Sequence, residues 1–227
     1  MKKYIQTHHD KIHIIEEFIS KETAQYLIDS FKPIFSETPN KTFKSGPSFN
    51  QNRQGILTPQ NCIFDYNQGV PNMAVDLYNT IAFTMQKTMS DFFNMPLDYK
   101  TLNYGLMLEG AKNTLHMDNV YLDSSLNLKP KPFDNNDRSG LLYLNDCYQG
   151  GELYFPKQNF KIKPWAGTFI FFEGNEEIPH EVLEVTGGER YNIVSFLWHK
   201  DNYGNPVDRS LPEEEWQMTE DNLGINH

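Results

Sequence analysis

Apolar spacing along the chain changes character near Pro96. Ahead of it, Ile12 to Phe18 reads as a short strand running into Ser20, a side chain suited to an N-cap. Ala24, Leu27, Ile28 and Phe31 then recur at helical spacing until Pro33 limits the run. A second helix is predicted after Pro71, where Met73, Leu77, Ile81, Met85, Met89 and Phe92 recur at near-helical intervals; the stripe reads as core, and Pro96 ends it. Between the helices, residues 36 to 71 are rich in Ser, Asn, Gln, Gly and Pro. They read as a long irregular excursion, of the kind that in compact domains is functional or disordered.

After Pro96 the pattern becomes that of strands: YKTLNYGLML, TLHMD, SGLLYLN, GELYFP, NFKIKP, GTFIFFE, HEVLEV and RYNIVSFLW. Short strands punctuated by Gly, Pro and Asn predict a mainly β fold of jelly-roll type, with the two helices covering one sheet face. The polar, Pro-containing stretch 119 to 138 reads as a mobile loop, and Gly150 and Gly151 as a tight hairpin. Residues 201 to 227 form an acidic tail with one short helix around PEEEWQMTE. The expected organisation is a single domain over 1–227: helical support and loop to residue 98, a β core over 99–200, then the tail.

Composition narrows the function. A net charge of −10 argues against nucleic acid and against anionic membrane, since both reward a basic face. Cys62 and Cys147 are too few for a disulfide framework and read as free thiols. With no apolar run after the basic start and no membrane-length apolar stretch, the expectation is a soluble cytoplasmic protein.

Candidate chemistry lies in NTLHMDN, residues 113 to 119. In a strand, residues i and i+2 project to one face, so His116 and Asp118 can converge on one metal ion while Leu115 and Met117 pack the other face. His-x-Asp occurs three times, at His8/Asp10, His116/Asp118 and His199/Asp201. The first lies in an N-terminal segment expected to fray and the last at a strand end. Only His116/Asp118 lies within the β region beside a loop able to cover a site. His180, which begins a later strand, supplies a third ligand, and two histidines with one carboxylate make the facial triad of non-haem Fe(II) oxygenases. A zinc hydrolase with HExxH is excluded, because that motif is absent. Ten residues after His180 stands Arg190, sharing a strand face with Asn192, Val194, Phe196 and Trp198. A guanidinium pointing into an apolar barrel requires an anion, and its fork matches a carboxylate.

The ordered pieces NYGLMLEG, HMD, SGLLYLND, GGELYFP, IKPWAGTFIFF, PHEVLEV and GGERY, residues 99 to 199, resemble the prolyl 4-hydroxylase class of Fe(II)/2-oxoglutarate dioxygenases. The segment IIEEFISKETAQYLI is similar to that family's opening strand and helix. The resemblance implies a double-stranded β-helix (cupin-like) core, with His116, Asp118 and His180 holding iron and Arg190 binding the distal carboxylate of 2-oxoglutarate. It also implies Tyr104 and Tyr143 as cosubstrate contacts, although both serve equally well as core tyrosines. The cofactors implied are Fe(II), 2-oxoglutarate and O2, with ascorbate as an optional addition. The expected reaction is hydroxylation of a prolyl residue in a peptide or protein. A free amino acid or other small molecule is the alternative substrate, and a non-catalytic metal-binding jelly-roll module the alternative class. Asp118 itself favours hydroxylation, since related halogenases lack that carboxylate and bind chloride in its place.

Overall fold

The structure is a computed structural model and describes residues 4–36, 54–57, 69–123, 125–130, 138–200, 218 and 223–225. Two strands, β1 (Gln6–His8) and β2 (Ile12–Ile15), form a hairpin turning through His9 and Asp10, both at positive φ. The segment holding the first His-x-Asp pair is therefore hydrogen-bonded sheet and not a frayed end. Then come α1 (Lys21–Ser36), β3 (Gln54–Leu57) and α2 (Asn72–Phe93). The β region comprises β4 (Leu97–Met107), β5 (Asn113–His116), β6 (Val120–Leu122), β7 (Leu128–Pro130) and β8 (Arg138–Tyr143). It continues through β9 (Gln149–Gly150), β10 (Leu153–Phe155), β11 (Phe160–Ile162), β12 (Phe169–Glu173), β13 (His180–Val182), β14 (Val185–Gly187) and β15 (Arg190–His199).

Helix α1 starts as its sequence dictates: the Ser20 hydroxyl accepts from the Thr23 amide at 3.1 Å. It does not stop at Pro33, which lies inside the helix, one turn before its end. The apolar face (Leu27, Ile28, Phe31, Ile34, Phe35) is buried on both sides of the proline. That burial, worth about 1.5–3 kcal/mol for each large side chain, offsets the hydrogen bond the proline forfeits. Helix α2 buries Ala74, Val75, Tyr78, Ile81, Ala82, Met85 and Met89, while Met73 and Phe92 are exposed, so its core stripe is rotated from the expected one. It ends at Asn94 in the left-handed conformation, two residues before Pro96. Within the 36–71 excursion the described residues form β3, paired with β4; within 119–138, β6 and β7 form a hairpin. The short helix expected in the tail falls outside the described residues.

Two sheets make the β core. Seven strands order as β1-β2-β12-β8-β15-β4-β3 and four as β11-β10-β13-β5. One face of the larger sheet, with Tyr104, Leu142, Phe169, Phe171, Tyr191 and Ile193, packs on both helices. The other, with Met107, Leu141, Tyr143, Ile170 and Phe172, packs on the smaller sheet through Leu153, Phe155 and Val182. This is the double-stranded β-helix, read as a jelly roll from strand pattern alone. A β-bulge at Lys100 sharpens the division: Phe196 lies opposite Thr101 but Leu197 opposite Tyr99. The extra residue reverses the side-chain alternation, so Leu97 and Tyr99 face the helices together with Leu102, Tyr104 and Leu106. Tyr99 donates to the Ala82 carbonyl of α2 at 2.6 Å. Among the described residues no helix is long and apolar enough to cross a membrane.

Candidate metal and anion site

His116 closes β5, His180 opens β13, and the two strands pair with these residues directly opposite each other. Asp118 lies just past the end of β5, so the i, i+2 relation outlasts the strand. Leu115 and Met117 point away into a separate apolar cluster with Leu122 and Met218. The metal-binding atoms of His116, Asp118 and His180 all lie within 4.8 Å of one another. His8 and Asp10 belong to no group of this kind among the described residues, and Asp201 of the third pair lies outside them.

The proton positions follow from the backbone. His116 Nδ1 lies 2.7 Å from the Thr114 carbonyl and His180 Nδ1 lies 3.0 Å from the Ile178 carbonyl. A carbonyl only accepts, so each Nδ1 carries a proton, and the neutral form of each imidazole presents its lone pair at Nε2. Those Nε2 atoms stand 3.6 and 3.7 Å from the two Asp118 oxygens, outside hydrogen-bond reach. The contacts are thus three donors turned toward a common point. Ser139, at the start of β8, donates to Asp118 Oδ2 and orients the carboxylate. Phe172 stands edge-on to the His180 ring at 4.8 Å and Phe155 lies 5.9 Å away, forming an apolar wall. Asp118 and His180 are buried; His116 is partly open and marks the approach.

Arg190, first residue of β15, is 1% exposed. Its Nη2 donates to the Tyr143 hydroxyl at 3.0 Å and its Nη1 approaches Met107 Sδ at 2.9 Å, while Nε has no partner. Among the described residues no ion pair involves it. A fully desolvated cation without a counter-charge carries an effective penalty of several kcal/mol. The donor set at the triad fits iron(II), and the uncompensated guanidinium fits a carboxylate-bearing cosubstrate.

Asn145 fixes that guanidinium from behind. Its amide donates to the Glu189 carbonyl at 2.7 Å and accepts from the Tyr191 amide at 2.9 Å, gripping the chain on both sides of Arg190. Lys32 of α1 and the Tyr191 hydroxyl both reach Glu189 Oε2, at 2.7 and 2.8 Å, tying the same turn to the helical layer. Phe196 pairs with Ser139, so the far end of Arg190's strand face, including Trp198, lies toward the metal end of the barrel.

Tyr143 lies where it was expected, on the inner face with its ring 4.8 Å from the guanidinium carbon. Tyr104 does not. It stands three residues from Met107 on a regular part of β4, so it faces the opposite way, stacking on Phe31 at 4.7 Å in the helical layer. Burial pushes its phenol well above the ordinary range. Ser139 and Asn145 carried no sequence signal as supporting residues, because their partners are set by strand pairing between distant segments. Cys147 is an exposed free thiol; Cys62 lies outside the described residues.

Residues 99–201 match the family model of the 2OG-Fe(II) oxygenase superfamily. The chain is 38% identical over 93 residues to prolyl 3-hydroxylase 3 of Homo sapiens, covering 37% of this chain and 12% of that protein. It is 29% identical over 205 residues to prolyl 3-hydroxylase 2 of Rattus norvegicus, covering 82% of this chain and 29% of that protein. The chain thus spans less than a third of these curated relatives. Among solved structures, the fold is shared with a Trichoplax adhaerens prolyl hydroxylase in complex with a hypoxia inducible factor peptide fragment, with TM-score 0.63, 17% identity and coverage of 89% of this chain and 88% of that one. It is also shared with a Pseudomonas putida prolyl-4-hydroxylase, with TM-score 0.59, 21% identity and coverage of 84% and 93%.

Proposed function

We propose that this chain, whose residues 99–201 match the family model of the 2OG-Fe(II) oxygenase superfamily, is an Fe(II)- and 2-oxoglutarate-dependent dioxygenase that hydroxylates a prolyl residue of a peptide or protein. One observation carries the reading: a buried guanidinium without a counter-charge shares a barrel with two imidazoles and a carboxylate turned to one point. His116, Asp118 and His180 would hold the iron, and Arg190 with Tyr143 would take the distal carboxylate of 2-oxoglutarate. With iron, 2-oxoglutarate and O2 bound, the centre supplies oxidation of a C–H bond to C–OH, with 2-oxoglutarate converted to succinate and CO2.

This chain's residues set the conditions for that chemistry. The Thr114 and Ile178 carbonyls keep both imidazoles in the tautomer that presents Nε2. Ser139 holds the Asp118 carboxylate in register. Phe155 and Phe172 exclude water from the His180 side. A prolyl substrate is supported by the two sequence relatives above, both prolyl 3-hydroxylases, and a peptide substrate by the peptide-bound structural neighbour. The partly open His116 edge is the side from which a peptide would enter.

The test is to incubate iron-loaded protein with 2-oxoglutarate, O2 and a library of prolyl peptides. The expected result is succinate release together with a 2-oxoglutarate-dependent gain of one oxygen on a prolyl residue, with fragmentation distinguishing C3 from C4. No succinate under any of these conditions overturns the proposal.

A further inference from the structure

Tyr148, in the turn between β8 and β9, belongs to no motif that the chemistry above has used. It is 2% exposed, and its buried phenol oxygen lies within the influence of the Arg190 guanidinium while its own O–H meets no acceptor. A hydroxyl left unsatisfied in the interior is costly, and one that persists calls for a missing partner.

The ring is held in place on several sides. Lys163 Nζ donates to the Tyr148 carbonyl and stands 4.7 Å over the ring. A Cβ on Gly188 would come within 3.2 Å of Tyr148 Cα. Gly151, at φ 67°, is the tightest constraint, since a Cβ there would meet Tyr148 Cε2 at 3.1 Å and Arg190 Cδ at 3.2 Å. The absence of a side chain at residue 151 therefore lets the tyrosine ring and the arginine stem converge on the same spot. The second glycine of the Gly150–Gly151 pair thus does more than make a turn.

The donors around that spot can be counted. Tyr143 accepts from Arg190 Nη2, which leaves its own O–H to give. Tyr148 has an O–H with no acceptor, and Arg190 Nε is a third buried donor without a partner. We propose that Tyr148 is a second phenolic ligand of the 2-oxoglutarate distal carboxylate, so that the anion is received by the Arg190 guanidinium flanked by two hydroxyls. The assignment rests on the function proposed above. Burial raises the Tyr148 phenol far above its usual range, with Tyr143 adding to the rise and Arg190 opposing it, so the group remains an O–H donor at any working pH. Fixing the carboxylate through three rigid groups sets its distance from the metal ligands and selects for cosubstrate length.

The experiment is calorimetric titration of the Mn(II)-loaded full chain with 2-oxoglutarate and, separately, with oxalate, which chelates a metal but has no distal carboxylate. Tyr148→Phe keeps the ring that packs against Lys163 and Gly151. It should weaken 2-oxoglutarate binding about tenfold, the worth of one hydrogen bond to a charged group, while leaving oxalate affinity and the thermal midpoint unchanged. Unchanged 2-oxoglutarate affinity overturns the assignment. So does an equal loss for both ligands, which marks a structural role. If the unsubstituted protein binds Mn(II) and oxalate but not 2-oxoglutarate, the proposed function falls, and the role of Tyr148 falls with it.

Discussion

The side chain of Asn145 grips the backbone on both sides of Arg190, donating to the residue before it and accepting from the residue after it. Asn145→Ala removes both bonds from a site that is 7% exposed. It should lower unfolding stability by about 2 kcal/mol and raise the 2-oxoglutarate requirement, because the guanidinium then swings from an untethered strand end. Denaturant unfolding and cosubstrate titration measure the two effects; a stability loss with unaltered cosubstrate affinity contradicts the positioning role.

Arg190→Met should separate the two halves of the site. Methionine fills much of the apolar volume but offers no charge, so the apparent KM for 2-oxoglutarate should rise by two orders of magnitude or so while metal binding persists. Metal loss in this variant, read by elemental analysis after dialysis, would mean that Arg190 supports the triad structurally.

At the metal end, Asp118→Ala should abolish both metal retention and succinate formation. Ser139→Ala should be milder, weakening metal affinity roughly tenfold by freeing the carboxylate it orients. Competition with a metal chelator ranks the three proteins, and equal affinity of Ser139→Ala and the unsubstituted chain removes Ser139 from the site.

Tyr104 offers a contrast with Tyr143. Its hydroxyl is buried without a partner in the helical layer, so Tyr104→Phe should leave 2-oxoglutarate affinity unchanged and stability equal or higher. Tyr143→Phe should weaken 2-oxoglutarate binding. Parallel titrations decide between them.

A pH effect arises away from the site. His13 on β2 is packed against Phe92 at 4.2 Å and Phe171 at 5.1 Å, and burial lowers its pKa to about 4, with Glu173 pulling modestly the other way. Between pH 6.5 and 4 the unfolded chain takes up a proton at this residue and the folded chain does not, so stability falls as pH falls through that window. The stability advantage of the unsubstituted protein over His13→Gln should therefore shrink from pH 7 to pH 4.5 in denaturant titrations. A constant difference refutes the assignment.

The convergence of His116, Asp118 and His180 was legible in the sequence because its geometry is local: two side chains at i and i+2, and a third opening a later strand. Arg190 was legible for a similar reason, a charge on an otherwise apolar strand face. The direction of Tyr104 was not legible, because a tyrosine in NYGLM carries no mark of which way it faces; that depends on the pairing of Met107 with Arg190, a relation across more than eighty residues. Asn145 and Tyr148 were invisible for the same reason. Pro33 shows the limit of local rules, as tertiary burial carries α1 past a residue that would end an isolated helix.

The acceptors that set the two imidazole protons are main-chain oxygens at positions 114 and 178. Any amino acid that leaves the strand in place offers the same oxygen there. The exposed side chain of Thr114 is therefore not what orients the His116 ring, whereas Ile178, buried in the core, is constrained by packing although its side chain plays no part in the hydrogen bond to His180.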